Sequence, residues 1–237
     1  MKQVILCLLL MCTLHAQWSP EKEKRLTEEA KKKKSLLLTA RPTFHWPFDR
    51  ATRAAMMRLK QEKIPLFGYG SLINRESASA TLTDETLETF RPAIAFGVQR
   101  RFDYDPGLER YGTPPTPEER AMLNLTYTGD MNDIVNGVVV DMNKEDLIAL
   151  SKREIGYDLI PVIVVNWDDA LESQNPTLYT AYTFSAPSHI NPDLLPRPDY
   201  YERVLNGART FGDDYLELWY NTTYLGDGET PVQQKGD

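Results

Sequence analysis

The sequence predicts an α+β domain built on a mixed or antiparallel sheet. Three observations lead there. Six short runs carry strand-like residues: Pro65–Tyr69, Ala93–Phe102, Met122–Thr128, Val135–Met142, Leu159–Trp167 and Leu178–Phe184. Only two helical patterns fall among or after them, out of the strand–helix–strand order of a parallel doubly wound sheet. The composition, 41% hydrophobic and 26% charged over 237 residues, is that of a chain able to bury a core. Closure of the sheet into a barrel is one form this pattern allows.

The amino terminus reads as an export leader over residues 1–16. A short positive start, Met1-Lys2-Gln3, precedes an apolar run from Val4 to Leu14, and small Ala16 follows. Eleven apolar residues are too few to span a bilayer core of roughly 30 Å, and no later stretch is long enough, so no transmembrane helix is expected. Cys7 and Cys12 are the only cysteines, and both lie in the leader with His15. Once it is removed, the chain has no disulfide, cysteine nucleophile or cysteine-bound zinc. Two remaining histidines, His45 and His189, make a multi-histidine metal site unexpected.

Residues 17–62 form a charged extension. Ser19-Pro20 can cap and start a helix, and Glu21 to Lys34 is dense in Lys and Glu. That run is expected to be solvated and dispensable for the core fold. Asp49 to Gln61 reads as a second, amphipathic helix. The main domain spans 63–225, and the glycine-containing stretch 226–237 reads as a flexible tail. Within the domain, Asn143 can cap a helix carrying Leu147 and Leu150, with Gly156 as its left-handed stop. Another helix starts near Pro198-Asp199. The 27 Lys+Arg against 34 Asp+Glu leave a net charge of −7, which argues against a general nucleic-acid binder.

Two segments could carry chemistry. Leu66 to Leu72 runs off a strand into a Gly-x-Gly turn, where backbone N–H groups can converge on an anion. It lacks the Gly-Lys-Ser/Thr of a phosphate loop and the third glycine of a dinucleotide fingerprint. Glu154 lies at the C-terminal end of the first domain helix, where the helix dipole disfavours a negative charge. Such a carboxylate suits proton transfer, and a Glu near a helix end is also commonly a solvated residue. A serine hydrolase using Ser71 is poorly supported, because no Gly-x-Ser-x-Gly elbow is present.

Together the segments resemble γ-glutamyl cyclotransferase-like proteins. Phe67-Gly68-Tyr69-Gly70-Ser71-Leu72 is similar to that family's signature loop. Val135 to Val139, Met142-Asn143-Lys144, Leu147, Leu150 and Glu154 resemble its strand, helix and catalytic glutamate, with Arg153-Glu154-Ile155-Gly156-Tyr157 as the glutamate motif. Tyr200, Gly207-Ala208 and Gly212 resemble its closing helix, and Gly97 to Tyr104 is also similar. The resemblance covers about residues 64–225. It implies a small mixed β-barrel with flanking helices and a cofactor-free reaction on a small γ-glutamyl amine or peptide, giving 5-oxoproline and the released amine.

Glu154 would then be the general acid/base. The amides of Tyr69, Gly70, Ser71 and Leu72 would hold substrate oxygens, and Tyr157 and Tyr200 would touch substrate. Both tyrosines fit an aromatic core with a wet hydroxyl equally well. Members acting on glutathione are usually cytosolic, so an exported chain leaves the natural amine open. A secreted, non-catalytic binding domain on the same barrel is the alternative. No residue pattern sets an oligomeric state. Asn124-Leu-Thr and Asn221-Thr-Thr fit the glycosylation pattern, Asn124 on an expected strand.

Overall fold

Leu66 and Tyr182 pair in parallel register, and that one contact turns five strands into a closed barrel. The structure, a computed structural model, describes residues 17–39, 41–108 and 112–232. The expected leader, residues 1–16, lies outside the described residues. In chain order the elements are α1 (Pro20–Leu38), α2 (Arg50–Met57), β1 (Ile64–Gly68), a 3-10 turn (Ser71–Ile73), α3 (Arg75–Ser79), α4 (Asp84–Leu87), β2 (Arg91–Phe96), β3 (Val98–Tyr104), β4 (Met122–Tyr127), β5 (Ile134–Met142), α5 (Lys144–Arg153), β6 (Asp158–Asn166), α6 (Trp167–Glu172), β7 (Tyr179–Ser185), α7 (Pro198–Arg209), α8 (Asp213–Asn221) and β8 (Thr223–Leu225). The barrel order is β1-β5-β2-β6-β7, and a three-stranded sheet, β4-β3-β8, stands beside it. This is the α+β barrel with flanking helices that the motifs implied.

The expected strand Ala93–Phe102 is two strands. Gly97, at φ 78°, breaks it, and its amide bonds the Asp133 carbonyl at 2.8 Å. The apolar pattern runs straight through the break, which is why the sequence reads as one run. Glycine is needed there because the left-handed backbone excludes a Cβ. The break carries the chain out of the barrel at β2 and into the second sheet at β3.

Helix ends follow the sequence closely. Ser19 accepts the Lys22 amide and Asn143 the Asp146 amide, and Gly156 is left-handed at φ 82°. The extension differs from its expectation. Leu26, Thr27 and Ala30 of α1 are buried, with the helix lying on β6, β7 and α6. Trp18 stacks on Trp167 with centroids 5.5 Å apart, and Phe44 forms a bridge with Leu159. Three small or apolar residues at helical spacing suffice to dock a helix whose other faces are charged. Residues 226–232 likewise fold back, Val232 donating its amide to the Thr223 carbonyl at 2.9 Å. Among the described residues no helix is long and apolar enough to cross a membrane.

Candidate active site

The turn after β1 is held from two sides by glycines. A Cβ on Gly137 of β5 would lie 2.5 Å from both the Gly68 carbonyl and the Phe67 ring, so glycine there lets β5 approach the end of β1. A Cβ on Gly207 of α7 would lie 2.6 Å from the Asn74 nitrogen, so α7 rests directly on the turn backbone. Within the turn, the amides of Ile73 and Asn74 bond the carbonyls of Gly70 and Ser71 at 2.9 and 3.2 Å. The amides of Ser71 and Leu72 have no backbone acceptor among the described residues.

Tyr200 lies seven residues before Gly207, two helical turns along the same face of α7. Its hydroxyl closes on Gly70 so tightly that any Cβ there would collide with it. The requirement for glycine at 70 is therefore this close approach.

Tyr69, Tyr157, Tyr200 and Glu154 share one neighbourhood. Burial first, then the neighbouring Tyr200, Glu154 and Asp103, push the Tyr69 phenol well above its usual value. Tyr157 is pushed the same way by burial and then by Tyr69, Tyr200 and Glu154. Both phenols therefore remain protonated donors at neutral pH. Strand β4 lies against them. The Tyr157 hydroxyl donates to the Leu123 carbonyl at 3.4 Å, and Leu125 lies beside the Tyr69 phenol. Tyr104 stacks on Tyr157 at 4.5 Å and donates to the Ile155 carbonyl at 2.9 Å, which pins the segment following Glu154.

Glu154 caps α5 with its amide on the Leu150 carbonyl and its side chain half-buried. The structure thus brings Glu154, Tyr69, Gly70, Tyr157 and Tyr200 together, with Ser71 and Leu72 on the same turn. The Leu72 side chain folds back over Gly68, leaving its amide as the group to face a ligand. Neither histidine serves Ser71: His45 bonds Asp158 at 2.7 Å and His189 bonds Ser188 at 3.1 Å. Asn124 is buried and bonded through its amide to Ala186, which closes it to a glycan, whereas Asn221 is exposed.

Sequence reasoning missed Asp103. It is buried on β3, within electrostatic reach of Tyr69. The only signal was its place in the Gly97–Tyr104 stretch, where alternation puts it on the outer face. A groove of about 480 Å³ lined by Trp46, Tyr104, Ile155, Gly156, His189 and Ile190 begins at the two residues after Glu154. A separate cleft of about 360 Å³, between Trp18 and α8, carries Glu23, Asp133, Asp214 and Glu217 and none of the motif residues. Among the described residues no group of three or more His, Cys, Asp or Glu is arranged to hold a metal ion.

Comparison with known proteins places the fold. No protein-family model matches the chain, and no curated protein does. Solved structures do. A γ-glutamyl cyclotransferase superposes with a TM-score of 0.52 at 20% identity, covering 74% of this chain and 93% of its own. YkqA from Bacillus subtilis superposes with a TM-score of 0.52 at 18% identity, covering 68% of this chain and 54% of its own. At these identities the likeness speaks for architecture. The closed five-stranded barrel and its flanking helices are those of the γ-glutamyl cyclotransferase-like fold.

Proposed function

We propose that the chain is a cyclotransferase acting on a γ-glutamyl amine or peptide. The observation that carries this reading is the convergence of Glu154, Tyr69, Tyr157 and Tyr200 on the Gly70 turn. In the reaction, the substrate's α-amine attacks its own γ-carbonyl. A new C–N bond closes the five-membered ring, and the bond to the leaving nitrogen breaks. Glu154 takes the proton from the attacking amine and returns it to the leaving nitrogen, so no proton is lost or gained overall. No protein nucleophile is required.

The Ser71 and Leu72 amides, unused by the backbone, suit a substrate carboxylate or the oxyanion of the tetrahedral intermediate. The protonated Tyr69 phenol suits the same oxygens. Export through residues 1–16 is part of this proposal, and mass spectrometry of the native protein should find an amino terminus near Gln17. An intact Met1 on a cytosolic protein would refute it.

Glu154→Gln tests the chemistry. The variant keeps the size and hydrogen bonding of the side chain and removes its titratable group. 5-Oxoproline release from a panel of γ-glutamyl compounds should fall by roughly 10²–10⁴-fold, with thermal stability little changed. Near-parent turnover would move the base elsewhere. A parent protein inactive on every compound would favour the non-catalytic binding domain.

A further inference from the structure

Strand β3 alternates cleanly at first: Val98, Arg100 and Phe102 are buried, while Gln99 and Arg101 are half-buried. Continued alternation would turn Asp103 outward. Instead Phe102, Asp103 and Tyr104 are all buried. The register slips at this point. Arg101 pairs with Asn124 and Tyr104 with Met122, so three steps on β3 match two on β4. Such a bulge re-aims a side chain, and bulges cluster beside functional sites. Here it turns a carboxylate inward, leaving it 2% exposed.

That carboxylate is incompletely bonded. Its Oδ1 has no hydrogen-bond partner among the described residues. No cation bonds it: Arg101 lies within electrostatic reach but directs its guanidinium at Gln99, and Arg100 bonds Asn136, Thr222, Thr223 and the Trp219 carbonyl. The Asn124 amide lies against it but is held on both sides by Ala186. A buried polar atom left this way is uncommon and calls for an explanation.

Its position supplies one. Neighbouring residues of β4 meet two of these groups, Leu123 the Tyr157 hydroxyl and Asn124 the Asp103 carboxylate, and Leu125 lies beside Tyr69. Asp103 therefore belongs to the same wall as the two phenols. With Glu154 it makes the site acidic, and the complementary ligand group is a cation rich in N–H donors.

We propose that Asp103 anchors the α-ammonium group of the γ-glutamyl moiety and makes the site selective for an α-amino substrate. The inference rests on the cyclotransferase reading. Asp103 takes part in no bond change: it holds the ammonium on arrival. Glu154 takes one ammonium proton before attack and gives it to the leaving nitrogen as the C–N bond breaks. It then takes the second from the ring nitrogen, and this proton leaves on the released amine as its ammonium. An ammonium offers three donors, enough to reach Oδ1 while facing Glu154.

The experiment uses the full chain carrying Glu154→Gln, which binds without turning over. Calorimetry compares two probes, N5-methyl-L-glutamine and glutaric acid monomethylamide, the second lacking only the α-amine. Adding Asp103→Asn should weaken the amine probe roughly 10- to 100-fold, the size of a charge-assisted hydrogen bond, and leave the glutaric probe unchanged or tighter. In protein with Glu154 intact, Asp103→Asn should raise KM more than it lowers kcat. Equal loss for both probes, or an unchanged KM, overturns the anchor and leaves the cyclotransferase reading standing. If the parent releases no 5-oxoproline and the Glu154→Gln chain binds neither probe, the cyclotransferase reading itself falls, and the anchor with it. Should Asp103→Asn fail to fold, Asp103→Ser carries the same comparison, and failure of both variants to fold makes the residue structural and overturns the anchor.

Discussion

Arg100 and Asp103 lie three residues apart on β3, both charged and both buried, and the molecule treats them in opposite ways. Arg100 is fully satisfied. Its guanidinium bonds the Asn136 carbonyl at 2.6 Å and side-chain oxygen at 3.0 Å, Thr223 at 2.8 Å and the Trp219 carbonyl at 3.2 Å, and it stacks 5.1 Å from the Trp219 ring. It ties β5 of the barrel to β8 of the second sheet and to α8. Burial pushes its pKa down to about 9, still charged at neutral pH. Asp103 has an oxygen left over. A buried charge whose every nitrogen is bonded is a joint; one with an unused acceptor beside the candidate site is a receptor for something from outside.

Substitution at Arg100 should produce the largest stability effect in this comparison. Arg100→Met removes the donor of the Asn136 carbonyl and side-chain oxygen and one donor of the Trp219 carbonyl, at a cost of about 1–3 kcal/mol for each buried group left unsatisfied. Urea unfolding should show a lower midpoint at unchanged slope. A variant as stable as the parent would break the contrast, since Arg100 would then not be a joint.

Leu26→Ala provides a scale from outside β3. Leu26 on α1 is fully buried, so removing its side chain should cost about 2–4 kcal/mol. A loss near zero would restore the sequence's expectation of a dispensable extension. Gly207→Ala comes next. The added methyl meets Asn74 backbone at 2.6 and 2.7 Å, and such overpacking costs about 1–3 kcal/mol. Because α7 carries Tyr200, substrate affinity should fall together with the melting temperature; loss of stability alone would uncouple Gly207 from the site.

The smallest effect sharpens the comparison most. Desolvation raises the Asp103 carboxyl above its usual range, with Asn124 and Arg101 pulling the other way. A carboxyl raised on folding is fully tolerated below the unfolded pKa of about 4, and its contribution is lost as pH rises through the folded value. Asp103→Asn should therefore match the parent in acid and be equal or slightly more stable at neutral pH, within about 1 kcal/mol. A clear destabilisation at neutral pH would make Asp103 a second joint.

Much of this was legible in the sequence where chemistry is local. Asn143, Ser19 and Gly156 announce helix ends by their own side chains or backbone freedom, and the Gly68–Leu72 turn announces itself by glycine. Glu154 was found through its motif and helix-end position. What was hidden depends on partners distant in sequence. Arginine on a strand reads as surface, yet Arg100 finds acceptors on β5, β8 and α8. Asp103 reads as outward by alternation until a bulge, set by pairing with β4, turns it in. The close approach of the Tyr200 hydroxyl to Gly70 comes from another helix and left no mark in the turn itself. Helix α8 went unread, and the docking of α1 rests on only a few residues whose spacing is easily lost among Lys and Glu.

The parallel pairing of Leu66 with Tyr182 also sets a clock. Across the same seam, Thr183 bonds the Phe67 carbonyl at a separation of 116 residues. A ribosome adding roughly 5–20 residues per second leaves one edge of β1 waiting roughly 6–23 s for its last neighbour. During that interval an apolar strand with open hydrogen-bonding groups is available to other nascent chains. Pro65, the second residue of that strand, has no N–H to offer. Its presence makes the waiting strand a poorer template, so the residue that weakens β1 as a ladder also protects the chain while it is being made.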